Sequence, residues 1–191
     1  LAAQLGAESI PADILSEDEG TALIGQRLGR KPDEENPFLE DEKAIVRLLG
    51  GHTLAISIAA ARISEGGADY TPRFRERLEQ RRKQGGSPLG DLKLQEDDKN
   101  YNLELSLSES YEDLSQERKT QFRALGVFAA DGTFNTPAAQ AVWNLSDAFE
   151  TEDVLQFFVK MSLLSQPERG RFVQHGLLRD YARALSAQTD T

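Results

Sequence analysis

The sequence predicts a mainly α protein: an N-terminal helical bundle followed by a winged-helix domain with a small β-hairpin. Three observations predict it. Apolar residues recur at helical spacing through most of the chain. Helix-start signals punctuate it: Ser16 three residues before Glu19, Ser115 three before Arg118, and a proline in the first turn of two runs, at Pro72 and Pro137. Near the C-terminus, SLLSQPERGRFVQ (Ser162 to Gln174) reads as strand, tight turn at Pro167 to Gly170, strand.

The bundle comes first. In IPADILSEDEGTALIGQRLG, Ser16 and Glu19 form a capping box, Leu23, Ile24 and Leu28 follow on one face, and Gly29 stops the helix. DEENPFLEDE (Asp33 to Glu42) holds six carboxylates and no base. Its second half opens a second helix, since acids suit the positive end of the helix dipole. Ala44, Ile45, Leu48 and Leu49 share a face, and Gly50-Gly51 ends the run. HTLAISIAAARI (His52 to Ile63) is apolar nearly all round, the mark of a buried helix, and it closes near Gly66-Gly67. TPRFRERLEQRRK (Thr71 to Lys83) is a basic helix with six bases and two acids. It is expected to be a solvated face or to pair with the acidic run; the functional reading is docking to an acidic partner. The bundle therefore covers 1–83. Residues 84–99, rich in Gly and polar groups, read as a linker.

The winged helix is expected over 100–191. NLELSLSESYEDL presents Leu103, Leu107 and Tyr111 on a helical face. SQERKTQFRALGVFA is a second helix, DGTFNT (Asp131 to Thr136) a turn, and TPAAQAVWNL a short helix. TEDVLQFFVKMS (Thr151 to Ser162) is the third amphipathic helix, ahead of the hairpin. A last helix runs from about His175 to Leu185.

Composition narrows the function. The chain has 191 residues, 22 Lys and Arg against 32 Asp and Glu, and a net charge of −10. That balance does not suit coating a nucleic-acid backbone. There is no cysteine, so disulfides and thiolate metal sites are excluded. No membrane span or signal peptide is expected, which points to the cytoplasm. The chain lacks an initiator Met and reads as an internal fragment. No zinc-type histidine pair and no G-x-S-x-G elbow is present. Two glycine spacings mimic a phosphate loop, Gly20 to Gly25 and Gly85 to Gly90. They continue as Gln26-Arg27 and Asp91-Leu92, where Lys then Ser or Thr is required. A winged helix also invites a DNA-binding reading. Its third helix would enter the major groove carrying Glu152 and Asp153 against Lys160, with only Arg169 and Arg171 on the wing. Charge disfavours that role.

Four stretches, in order, resemble the NB-ARC group of STAND-type nucleotide switches. LSEDEGTALI resembles the passage leaving the nucleotide-binding core. LLGGHTLAISIAAARI resembles the G-x-P segment. LSLSESYEDLSQERKTQFRALGVFAADGTF resembles the start of the winged-helix subdomain. KMSLLSQPERGRFVQHGLLRDYARAL resembles the stretch ending in the MHD motif. The resemblance implies a regulatory part of an ATP/ADP-dependent switch, the alternatives being a winged-helix transcription regulator or an interaction module without a nucleotide role. It implies that His175 contacts the β-phosphate of ADP and that Gly51, His52 and Thr53 border the nucleotide, although a lone His52 is expected to cap a helix. It implies an upstream P-loop domain in the same chain as partner and a downstream repeat sensor. Without the P-loop the fragment is not an enzyme, whereas the parent would be a slow ATPase. Thr53 stands where the family has proline, Gly176 where it has the motif aspartate, and Gln174 where it has an apolar residue. Arg179, Asp180 and Tyr181 are expected to pack the final helix.

Overall fold

The computed structural model describes residues 14–31, 34–84, 98–129 and 132–189, apart from the side chains of 98–101 and 189. The expected linker, 84–99, lies outside the described residues except at its ends.

Local signals set the bundle. Helix α1 (Glu17–Arg27) begins at Ser16, whose Oγ accepts from the Glu19 amide while the Glu19 carboxylate accepts from the Ser16 amide. Both free donors are thereby satisfied, as the sequence predicts. Helix α2 (Leu39–Leu48) starts inside the acidic run. One of those acids is not on the surface. Glu42 is fully buried and takes hydrogen bonds from Arg30 (2.6 and 3.0 Å) and Asn36 (2.7 Å). Helix α3 (Thr53–Gly66) is the buried helix expected from its apolar composition, with Ile56, Ile58 and Ile63 excluded from solvent. A 3-10 turn, Ala68–Tyr70, leads into basic helix α4 (Thr71–Gln84). Arg75 pairs with Asp41 of the acidic run at 2.8 Å. Other bases of α4 turn the opposite way, toward the next helix.

That helix, α5 (Asp98–Glu112), departs from expectation. The sequence suggested one apolar face, yet every residue from Leu103 to Tyr111 is buried. The reason is electrostatic pairing. Glu109, 3% exposed, receives Arg77 at 2.6 Å and also Arg81. Just past the helix, Asp113 receives Arg62 at 2.7 Å and Arg77 at 3.0 Å. Ser106 donates to the Ala55 carbonyl of α3 at 2.8 Å. A helix of alternating Leu, Ser and Glu can be buried on all sides when most of its polar groups meet partners; Ser110 is the exception among the described serines of the helix.

A winged-helix-like region occupies the C-terminal part of the chain. It comprises α6 (Gln116–Ala124), β1 (Thr133–Phe134), α7 (Thr136–Trp143), α8 (Ala148–Lys160), β2 (Ser165–Glu168), β3 (Arg171–Val173) and α9 (Gly176–Thr189). The sheet order is β1-β3-β2, antiparallel throughout, with Phe134 opposite Phe172. Two expectations are corrected. DGTFNT is not only a turn: Thr133 and Phe134 form the third strand, because Phe134 is buried against Phe128 and Phe172. The helix placed at Thr151 starts earlier, at Ala148, because the Asp147 carboxylate accepts from the Phe149 amide at 2.7 Å and caps it.

The fold is thus mainly helical with a small three-stranded sheet. Its apolar core is continuous from Ile24 of α1 to Tyr181 of α9. Tyr111 joins the halves, its ring 5.8 Å from Phe122 and 6.1 Å from Tyr181. Among the described residues no helix is long and apolar enough to cross a membrane.

Candidate functional site

The sequence nominates two places: the turn before α3 and the junction before α9. The first is built by backbone. Gly50 and Gly51 both adopt positive φ, at 59° and 69°, which reverses the chain between α2 and α3. Gly51 is also a point of close approach. Its carbonyl accepts from the Leu15 amide at 2.7 Å, and a Cβ there would meet the Leu15 carbonyl oxygen. Ile14 bridges His52 in antiparallel fashion. The segment entering α1 therefore lies directly on the Gly51-His52 turn, a non-local contact that local sequence signals do not reveal.

His52 caps α3. Its Nδ1 accepts from the Ala55 amide at 3.4 Å, satisfying one of the free donors of the first turn. Thr53 is the first residue of the helix, half-buried, and its carbonyl accepts from the Ser57 hydroxyl at 2.9 Å. This turn lies at the α3 N-terminus.

The second place lies on the other half of the molecule. His175 is exposed between β3 and α9. Its Nδ1 accepts from the Leu177 amide at 3.3 Å, and its carbonyl accepts from the Arg179 amide at 3.0 Å. With Nδ1 an acceptor, the neutral ring carries its proton on Nε2. The helix cap thus engages Nδ1 and leaves Nε2 on the exposed edge of the ring.

The neighbours of His175 differ in character. Gln174 is 1% exposed, and neither atom of its side-chain amide has a hydrogen-bond partner. Tyr181 packs inside the helical core, as expected, and burial together with nearby Glu104 pushes its hydroxyl pKa up. Arg179 instead pairs with its neighbour Asp180, at 3.0 Å from Nε, on a more open face.

One tie between the halves was not anticipated. Arg27, in the last turn of α1, donates to the Lys160 carbonyl at the C-terminus of α8 and lies 3.5 Å from the Ser162 hydroxyl. A guanidinium there meets the negative end of the α8 dipole. Ser162, just past that terminus, adopts positive φ, 58°. No single-residue pattern could have signalled this contact, because its partners are 133 residues apart.

The outer surface of α8 matters for the DNA reading. Phe149 is 86% exposed at its start, and Glu150, Asp153 and Gln156 are exposed along it. Acids occupy the surface that would approach phosphate. Among the described residues no cluster of His, Asp and Glu could hold a metal ion.

The chain is similar to two curated proteins, each over 97% of its own length. It is 31% identical over 189 residues to "Regulatory protein AfsR" of Streptomyces coelicolor, of which it spans 17%. It is 29% identical over 188 residues to "Regulatory protein AfsR" of Streptomyces griseus, of which it spans 18%. The chain therefore corresponds to about a sixth of the length of these relatives. No protein-family model matches it. Neither relative's name is that of an enzyme.

Proposed function

We propose that this chain is a regulatory rather than catalytic segment: the helical and winged-helix part of an ATP/ADP-dependent switch of the STAND type. Similarity to proteins named as regulators, running almost end to end, supports the regulatory role. The observation that carries the nucleotide reading is His175, an exposed imidazole whose Nδ1 is occupied by the Leu177 amide and whose Nε2 is left as a donor.

A diphosphate would supply an anionic oxygen for that donor, and such a charge-assisted bond is among the stronger ones. On the bundle, the wall formed by Gly51, His52 and Thr53 would border the same nucleotide. An upstream P-loop domain of the parent protein would hold the phosphates. The two halves would then be joined by ligand contacts on both sides, and a ligand with different contacts in two states shifts the balance between them. Gly176, in place of an acid, removes one polar group from that lock.

The deciding experiment measures ADP binding to the parent protein with His175→Ala. Affinity should fall by about 1.5–3 kcal/mol, the worth of a hydrogen bond to a charged group. Unchanged ADP affinity would rule this reading out. Salt-sensitive retardation of duplex DNA by the 191-residue chain would favour the transcription-regulator reading instead.

A further inference from the structure

A cavity of about 320 Å³ opens between the bundle and the winged helix, separate from both places above. Its walls come from four helices: Arg62 of α3, Ser110 of α5, Arg118 of α6, and Phe157 with Met161 of α8. Leu114, Ser115, Asp113 and Glu65 complete it. The size lies at the low end of sites that bind small molecules, about 300–1,000 Å³.

Two features mark it as more than a packing gap. Ser110 is fully buried, and its Oγ has no hydrogen-bond partner. A helical serine commonly returns its hydroxyl to the preceding turn. Ser106 satisfies its own on the Ala55 carbonyl, and Ser108 on the Leu105 carbonyl, but Ser110 does neither. A buried hydroxyl without a partner keeps an unused hydrogen-bonding capacity at the edge of the cavity.

The second feature is charge. Asp113 is shared by Arg62 and Arg77, and Glu65 lies 3.3 Å from Arg62. Those three guanidinium–carboxylate pairs leave Arg118 over. It donates to the neutral Gln121 side chain at 2.7 Å and lies over the Phe157 ring at 5.2 Å, and no carboxylate among the described residues pairs with it. Ser115, the N-cap of α6, also lines the cavity, so the positive end of that helix adds to Arg118. Leu114, Phe157 and Met161 supply apolar surface beside it.

We propose that this cavity binds a small carboxylic acid with an apolar body. The carboxylate sits on Arg118 and the start of α6, the Ser110 hydroxyl donates to it, and the apolar part rests on Phe157 and Met161. Inorganic phosphate has the charge but no apolar body, whereas a neutral alcohol of the same shape lacks the charge. Because the walls belong to α3 and α5 on one side and α6 and α8 on the other, the occupant bridges the two halves. The site does not depend on the nucleotide reading.

The test is titration of the 191-residue chain, followed by calorimetry and amide chemical shifts, with benzoate and hexanoate as probes and benzyl alcohol and inorganic phosphate as controls. At least one carboxylate should bind saturably in the millimolar range or tighter, shifting amides around Ser110 and Arg118. Benzyl alcohol and phosphate should bind about tenfold more weakly or worse. Arg118→Gln should cost the carboxylate about tenfold and Ser110→Ala a few-fold. The proposal fails if neither carboxylate saturates by about 20 mM, if benzyl alcohol binds as well as benzoate, or if folded Arg118→Gln binds unchanged. Should Arg118→Gln not fold, the comparison of charged and neutral probes on the unaltered chain still decides.

Discussion

Two buried polar side chains, Glu109 in α5 and Gln174 after β3, have opposite surroundings. Glu109 lies in the interior, yet Arg77 and Arg81 pair with it, Arg77 through an ion pair to Oε2 that makes no hydrogen bond. Gln174 is neutral, equally buried, and meets nothing. A paired buried charge fixes one arrangement, because removing either partner strands the other. An unpaired amide does the reverse, since it costs stability for as long as it stays where it is. The junction between α5 and the bundle is therefore built as a permanent seam. The junction that carries His175 is built with a penalty already inside it.

The sharpest way to break this contrast is Glu109→Ala, which takes an ion-pair partner from Arg77 and Arg81, whose side chains are 29% and 30% exposed. Unfolding by urea should show a loss of about 1.5–3 kcal/mol. A loss within experimental error would mean that the seam is only a surface feature. Acid probes the same seam. Burial works against ionisation of Asp113, but hydrogen bonds from Arg77 and Arg62 outweigh it and hold its carboxyl below the ordinary carboxylate range. A carboxyl lowered in the folded state contributes stability above its unfolded value and loses it as pH falls through the folded one. Urea midpoints should therefore drop below about pH 4, and Asp113→Asn should flatten that part of the profile while lowering stability at neutral pH.

The other side of the contrast predicts a gain. Gln174→Leu removes two unpaired amide atoms from the interior and should raise stability by about 1–2 kcal/mol. A loss would show that the amide has a partner that matters. Arg27→Ala, cutting the tie to the end of α8, should cost about 0.5–1 kcal/mol. Phe149→Ser should change the midpoint least, within about 0.5 kcal/mol, because the ring is 86% exposed.

What sequence could show, and where it stopped, follows the range of the interactions. The capping boxes at Ser16 and the cap at Ser115 are legible because donor and acceptor lie three residues apart. The paired glycines before α3 are legible because positive φ selects glycine. Strand β1 was missed because two residues carry no period; only their antiparallel pairing with Phe172 and Val173 of β3 makes them a strand. The burial of α5 was missed because Ser106 and Glu109 look like a wet face until their partners on α3 and α4 are known. For the nominated site, the helix-capping role of His52 was readable from its place after two glycines. The contact of Leu15 with Gly51 was not, since it depends on how the chain returns.

Helix α5 packs on both ends of one core, and this makes each half of the chain behave as a ligand for the other. Strip the bundle away and Glu109 loses Arg77 and Arg81; strip the winged helix away and Tyr111 loses the Phe122 and Tyr181 rings. Heat should therefore melt the chain in one calorimetric step rather than two, and a lesion near Tyr181 should loosen amide protons as far away as α3.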